Sequence, residues 1–335
     1  MSELPRTEPL GRRDFLFAGG SAALGTLLWG CHRNKDRGNV ALRVATTKGS
    51  LYSPELFEAA GLKVNGYEVS YSEFAGGNLV VEALNGGSLD YGGMSEIPAV
   101  FALSSSIHSF RLIAVLHGDV NNQVILLPKG SSIQSLHDLK GKRIGYVRAT
   151  TSQYFLIRML ESVGMKWADI QPVAMGVSDG AAAFAQGSFD AWAIYGYPIE
   201  RAIATEGARI LQTALGFLSG NYLIAAHVDA LKEEKKVAAI RSYLEITRQG
   251  FKWADQHQDQ WEAIVASQVG IPVEYIREEY KRQSANYTLR PITAEAMTSL
   301  QEVADVFTQA QMIPNHVDTR SLWDNRFNDL LERGA

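Results

Sequence analysis

Two periodicities alternate along this chain. Stretches in which every second residue is apolar read as strands with alternate faces, and stretches with apolar residues three or four apart read as helices. ALRVAT (41–46) and YEVSYSEF (67–74) are strand-like, and NLVVEALNGG (78–87) is a helix stopped by its glycines. LDYGGM (89–94) runs into Ser95, a helix cap for EIPAVFALSS with Pro98 in the first turn, and RLIAVLH (111–117) is a further buried strand.

A second series follows the same order. QVILLP (123–128) and KRIGYV (142–147) read as strands, Thr150-Thr151-Ser152 caps QYFLIRMLESVG, and Gly164 closes that helix. Residues 176–198 give a helix stopped by Gly187 and a strand ending at Tyr195; YLIAAH (222–227) is a return strand. Beyond it the pattern is mostly helical, with long amphipathic runs at 235–257 and 294–313. Strand–helix alternation places the body in the α/β class, as two α/β lobes with a helical C-terminal region.

The amino-terminal region follows neither periodicity. The apolar run Phe15–Trp29 is short for a membrane-spanning helix, which needs about 20 residues, and it contains several glycines. Arg12-Arg13 followed by Asp14-Phe15-Leu16 resembles a bacterial twin-arginine export signal, and Leu28-Trp29-Gly30-Cys31 resembles a lipobox. Residues 1–31 are therefore expected to direct export, with Cys31 as lipidation site, or otherwise to be cleaved nearby without lipid or kept as an anchor. HRNKDRGN, within 32–40, is too polar to fold alone and is expected to be a tether reaching up to about 25 Å, so the folded body starts near Val40.

Composition narrows the function. The 335 residues are 46% hydrophobic and 20% charged, enough for one large domain or two medium ones. A net charge of −4 offers no basic field for nucleic acid, and the single cysteine forbids an internal disulfide. No Cys/His cluster has zinc spacing, so neither metal nor cofactor is expected.

In open α/β sheets, ligands sit where strand ends lead into helix amino termini, whose unpaired N–H groups and partial positive charge attract anions. Four turns fit: Lys48-Gly49-Ser50, Gly76-Gly77-Asn78, Met94-Ser95-Glu96 and Ala149-Thr150-Thr151-Ser152. Glycine admits an oxygen close to the backbone and hydroxyls donate to it. Ser95, Thr150 and Thr151 are equally ordinary helix caps, and Lys48 an ordinary loop charge. Glu96 would repel an anion when ionised and is expected to cap or to organise the edge of the cleft. Trp192, Tyr195 and Tyr197 end a strand and are expected to pack on an organic tail, with Trp192 alternatively in the core.

FAGGNLVVEALNGGSLDYGGMSEIPAVFA (74–102), residues 133–173 containing DLKGKRIG, and AAAFAQGSFDAWAIYGYP (181–198) resemble the solute-binding proteins of ABC importers for aliphatic sulfonates, in the group that also serves nitrate and taurine. DLKGKRIG is shared by the wider class; GGMSEIPAVFA and GSFDAWAIY are more specific to the sulfonate group. The resemblance implies a type II periplasmic-binding fold, two lobes joined by two crossing strands. Lobe 1 would take 41–122 plus 223–335, and lobe 2 would take 123–222. It further implies hinge closure, a monomer that captures a small organic anion and delivers it to an ABC permease and its ATPase, and no enzymatic activity. Sulfonate-group members tend to have Trp-Asp-Pro where this chain has Tyr195-Gly196-Tyr197, which implies a larger or more aromatic tail than a short alkane. Other readings are a binding protein for nitrate, bicarbonate or a thiamine-type precursor, a sensor, and a sulfinate desulfinase-like enzyme. Desulfinases of this fold use a cysteine nucleophile, whereas Cys31 precedes the body.

Overall fold

Alternating apolar residues extend the chain into eleven strands among the described residues, and the helical runs between them cover the resulting sheets. The computed structural model describes residues 40–47 and 53–332. The first part runs β1 (Val40–Thr46), α1 (Pro54–Ala59), β2 (Tyr67–Glu73), α2 (Gly77–Asn85), β3 (Tyr91–Ser95), α3 (Glu96–Ser104) and β4 (Phe110–His117). The second runs β5 (Gln123–Leu127), β6 (Arg143–Tyr146), α4 (Thr151–Ser162), β7 (Gln171–Ala174), α5 (Val177–Ala185), β8 (Ala191–Tyr195), α6 (Pro198–Glu206) and β9 (Arg209–Thr213). The chain then returns through β10 (Asn221–His227) to α7 (Glu234–Gln256), α8 (Gln258–Val269), α9 (Val273–Lys281), β11 (Thr288–Arg290), α10 (Ala294–Gln309) and α11 (Asn328–Glu332).

Two sheets result, in the orders β11-β4-β10-β3-β1-β2 and β7-β6-β8-β5-β9. Strand β1 is parallel to β2 and β3, and β6 is parallel to β7 and β8, while β10 and β5 are the antiparallel strands that bring the chain in and out. Helices cover both faces of each sheet, so each strand feeds two cores. Ile224 packs with Leu42 and Tyr91 on one face; Leu223 and Ala225 pack with Met94 and Val100 on the other. In the second sheet Ile125 and Leu127 part from Val124 and Leu126 in the same way.

The carboxyl-terminal helices return to the first sheet. Tyr243 of α7 meets Phe57 and Tyr91 edge-on at 5.5 and 5.1 Å, and Phe307 of α10 meets Phe101 of α3 at 4.9 Å. Local pattern indicated no element for α6 or β9, and β11 interrupts a tail expected to be helical. Strand β11 forms because it completes the backbone hydrogen bonding of the open edge of β4, with Thr288 opposite His117, a partner 171 positions away in the register.

The two sheets share a fastening. Arg43 N donates to buried Asp90 at 2.9 Å, and Arg143 N donates to Asp190 at 2.7 Å; each pair is 47 residues apart and joins one parallel strand to the turn before its neighbour. Asp90 also accepts from Arg43 Nε (3.0 Å), a terminal guanidinium nitrogen (2.8 Å) and Lys236 Nζ (3.1 Å). Burial opposes ionisation of Asp90, but these donors outweigh it and hold the carboxyl at about 2.

The chain crosses between the sheets through residues 118–122 and 214–220. The crossovers touch where Gly118 N donates to Gly220 O at 3.0 Å. Gly220 has φ +81°, and a side chain at Gly118 would fall 2.1 Å from the ring of Tyr287. Buried Asp119 accepts from Asn121 N, Asn122 N, Ser284 N and Ser284 Oγ at 2.8–3.1 Å. Tyr222 Oη donates to the Asp119 carbonyl and accepts from Gln123 Nε2.

A depressed folded-state pKa stabilises the protein above the unfolded value, near pH 4, and that contribution is lost as pH falls toward 2. Asp90→Asn is therefore expected to destabilise at neutral pH, the gap from wild type narrowing between about pH 4 and about pH 2. Urea midpoints across that range check it; a gap constant with pH would show that the ion pairs contribute nothing.

Candidate functional site

Parallel strands followed by helices leave helix starts along the carboxyl edge of each sheet, and here those edges border one cavity of about 1030 Å³. Its wall takes Gly76 and Gly77 at the start of α2, Ser95 and Pro98 at the start of α3, and Thr150 and Thr151 at the start of α4. The first intrahelical bonds run from Leu79 N to Gly76 O and from Gln153 N to Thr150 O. The preceding N–H groups, of Gly77, Asn78, Thr151 and Ser152, lie in the part of each helix that has no intrahelical acceptor. Among the described residues, Arg201 is the one cation in the wall. The wall also carries the acids Glu73, Glu206 and Glu279, so the groups at the helix starts that favour an anion are backbone N–H groups and hydroxyls rather than a cluster of cations.

Glycine at 76 and 77 is required by close approach. A Cβ at Gly77 would lie 2.8 Å from Met94 Cβ, and one at Gly76 would lie 2.9 Å from Tyr195 Oη. Tyr195, from the second sheet, thus brings its hydroxyl to the α2 start of the first. That oxygen is buried and makes no hydrogen bond of ordinary geometry; the hydroxyl of neighbouring Thr150 donates to Val147 O at 2.8 Å and keeps its lone pairs toward the phenol side open as an acceptor. Burial pushes the phenol up to about 12, partly offset by the nearness of Thr150, so it keeps its proton as a donor.

The expected residues fare unequally. Lys48, Gly49 and Cys31 lie outside the described residues, as do Arg12 and Arg13. Gly76, Gly77, Ser95, Thr150, Thr151, Trp192, Tyr195 and Tyr197 all border the cavity. Asn78 is absent from its wall. Ser152 is fully buried, its Oγ accepting from Val147 N at 2.9 Å, which shapes the turn before α4 rather than the cavity surface. Glu96 also faces away: it accepts from Ser219 Oγ of the second crossover at 2.7 Å. Burial pushes it up to about 7, against hydrogen bonds from Ser219, Ser299 and Asn221. Neither Ser95 nor Thr150 makes the expected side-chain cap, because Thr150 bonds backward to Val147 and Ser95 makes no bond to its own helix start.

The aromatic expectations also divide. Trp192 is 1% exposed, stacked obliquely on Phe184 at 5.4 Å and against Gly180, so most of it is core and one edge reaches the cavity. Tyr195 was expected beside an organic tail, yet its hydroxyl lies among the helix starts; the inward turn of β8's end toward Gly76 decides this. Tyr197 precedes α6, and burial, with Glu279 and Tyr280 nearby, pushes its phenol well above 10.

Sequence reading missed Asn122 and Gln123 at the crossover, Tyr222, and the wall residues Glu279, Tyr280 and Tyr287. Gln123 pairs opposite Tyr195 in the β5–β8 register, a placement visible only once the strands are aligned. Residues 279–287 reach the cavity through Asp119, with no local signal.

Residues 54–261 match the family described as NMT1/THI5 like. A protein of Escherichia coli (strain K12), named for aliphatic sulfonates binding, is 31% identical over 84% of this chain and 88% of its own. The crystal structure of the periplasmic aliphatic sulphonate binding protein SsuA from Escherichia coli superposes with a TM-score of 0.74 at 29% identity, covering 86% of this chain and 99% of that one. The structure of the alkanesulfonate-binding protein SsuA from Xanthomonas axonopodis pv. citri bound to MOPS gives 0.77 at 24% identity, over 85% and 98%. The fold is thus that of periplasmic binding proteins: two α/β halves, two crossing segments and a helical carboxyl-terminal region.

Trp192→Ala is expected to lower stability by about 3–5 kcal/mol, as for a large buried aromatic. Calorimetric unfolding checks this. A loss below about 1 kcal/mol would mean that the indole belongs to the cavity rather than to the core.

Proposed function

Since the chain belongs to the NMT1/THI5-like family, we propose that it is the solute-binding component of an ABC importer, capturing an organic sulfonate-type anion in the cavity between its two sheets. The carrying observation is the convergence of three helix starts with the unpartnered, protonated hydroxyl of Tyr195. A sulfonate is a strong acid: it arrives fully ionised, with three oxygens that accept hydrogen bonds and no proton to give. The lining at the helix starts matches that demand, offering N–H groups, the hydroxyls of Ser95 and Thr151, and Tyr195 Oη. The helix dipoles stabilise the charge without a dedicated ammonium.

Capture would proceed by hinge closure about the two crossovers, because Gly76 and Tyr195 come from different sheets and both must reach the head. Trp192 and Tyr197 would then border the organic part. The closed form is what a permease, powered by its ATPase, would recognise. The protein would work as a monomer and as a binder rather than an enzyme. Supporting this, the named relatives are binding proteins, and the single cysteine, Cys31, precedes the folded body.

Periplasmic relatives support an extracytoplasmic location, and no helix among the described residues is long and apolar enough to cross a membrane. The finer route proposed is twin-arginine export through Arg12-Arg13, with acylation at Cys31.

Alkanesulfonates are expected to raise the melting temperature, since a ligand of the native state alone adds about 2.7 kcal/mol at a hundredfold excess over Kd. Tyr195→Phe should weaken every sulfonate by about 10- to 100-fold while leaving the free protein's melting temperature unchanged, because the lost hydroxyl has no partner there. A shift with nitrate and none with any organosulfur anion would replace this reading with the nitrate one.

Replacing Arg12 and Arg13 by lysines is expected to leave precursor in the cytoplasm, and Cys31→Ser to release the mature body from the membrane. Fractionation followed by immunoblotting reads both. A wild-type protein found soluble in the periplasm would remove lipidation, and a membrane-bound Cys31→Ser protein would favour a retained anchor.

A further inference from the structure

Besides the helix starts, the cavity wall carries a buried carboxyl group that the anionic head does not need. Glu279, near the end of α9, is 6% exposed and forms part of the wall, yet its Oε2 has no hydrogen-bond donor. The groups around it are committed elsewhere. Arg282, the nearby cation, pairs with Glu200 of α6, and Asp119 at the crossover takes its donors from Asn121, Asn122 and Ser284. Tyr197, Tyr280 and Tyr287 border the same part of the cavity, presenting aromatic surface beside the carboxyl.

A buried acceptor flanked by two further acids and by phenol rings is arranged to receive a cation. Glu200 and Asp119 add negative potential, and aromatic faces attract an alkylated ammonium that cannot donate hydrogen bonds of its own. The helix-start end, by contrast, presents donors. The wall thus carries both donors and an acid.

We propose that Glu279 determines tail specificity, selecting zwitterionic sulfonates whose tail carries an ammonium group. This rests on the sulfonate reading of the helix-start end. In the free protein, burial together with Glu200 and Asp119, opposed by Arg282, pushes the Glu279 carboxyl up to about 8, so near neutrality it is mostly protonated. Of the groups that face it, the phenols of Tyr197, Tyr280 and Tyr287 are pushed above their ordinary range and stay neutral. Seating a fixed cation favours the carboxylate, so binding releases a proton from Glu279, and affinity for such ligands rises as pH climbs past the free carboxyl's value.

The test compares trimethylammonio-alkanesulfonates with their tert-butyl isosteres, which share shape and head and differ only in the tail's charge. Calorimetry on the wild-type protein and Glu279→Gln, at about pH 6 and about pH 9, is expected to show the charged ligand preferred by about tenfold or more in the wild type at the higher pH. Glu279→Gln should abolish that preference and its pH dependence. Independently of any variant, wild-type binding heats near neutral pH should depend on buffer ionisation enthalpy for the charged ligand, reporting proton release, and not for its isostere. An unchanged preference in Glu279→Gln, or buffer-independent heats for the charged ligand, overturns the proposal. Tight binding of the tert-butyl ligands with no preference for charge overturns it while leaving the sulfonate reading intact; failure of all these sulfonates to bind overturns both.

Discussion

Asp119 is the carboxylate on which the rest of the arrangement depends. It sits where the chain leaves one sheet for the other, buried, and takes four donors from two distant segments. Its bonds to Asn121 and Asn122 shape the crossover turn, and its bonds to Ser284 fasten residues 282–287 against that turn. Tyr287 then occupies the space beside Gly118, and Asn122 donates to its hydroxyl. The end of α9 is thereby carried to the cavity. A buried carboxylate is tolerable only because its acceptors are filled, and filling them is what assembles this wall.

The electrostatic design follows from having a single cation, Arg201, in the described part of the cavity wall. A protein with net charge −4 has no general attraction for anions, so capture must rely on short-range fields. Helix starts supply these, and Tyr195 adds a donor that remains protonated at any ordinary pH. Two of the nearby acids are held back from ionising: Glu96, one residue beyond Ser95, is pushed to about 7, and Glu279 to about 8. Raised in this way, the two carboxyls repel an incoming anion less than ionised ones would.

Both halves use one fastening and differ in what is built upon it. Arg43 with Asp90, and Arg143 with Asp190, close equivalent strand–helix–strand units. In the first half Asp90 is buried and gains Lys236 from α7, which couples the carboxyl-terminal helices to the sheet. Asp190 is more open, and its carboxylate meets the backbone and side chain of Arg143. The first sheet is thus the more heavily braced.

The alternation of apolar residues by itself determined most strands and helices, because burial on both faces of a sheet imposes period two and helix packing imposes three to four. The glycine and hydroxyl turns at 76–77, 95 and 150–151 were legible for the same local reason: each stands between a strand and a helix. Local pattern could not say that the hydroxyls of Ser95 and Thr150 leave their helices uncapped, nor that Ser152 and Glu96 turn away, since each depends on a partner such as Val147 or Ser219. Only the tertiary structure brought Tyr195 to Gly76 and Glu279 into the cavity. Those contacts join segments well over a hundred residues apart or separate sheets, and their geometry follows from how the two crossovers and Asp119 set one half against the other.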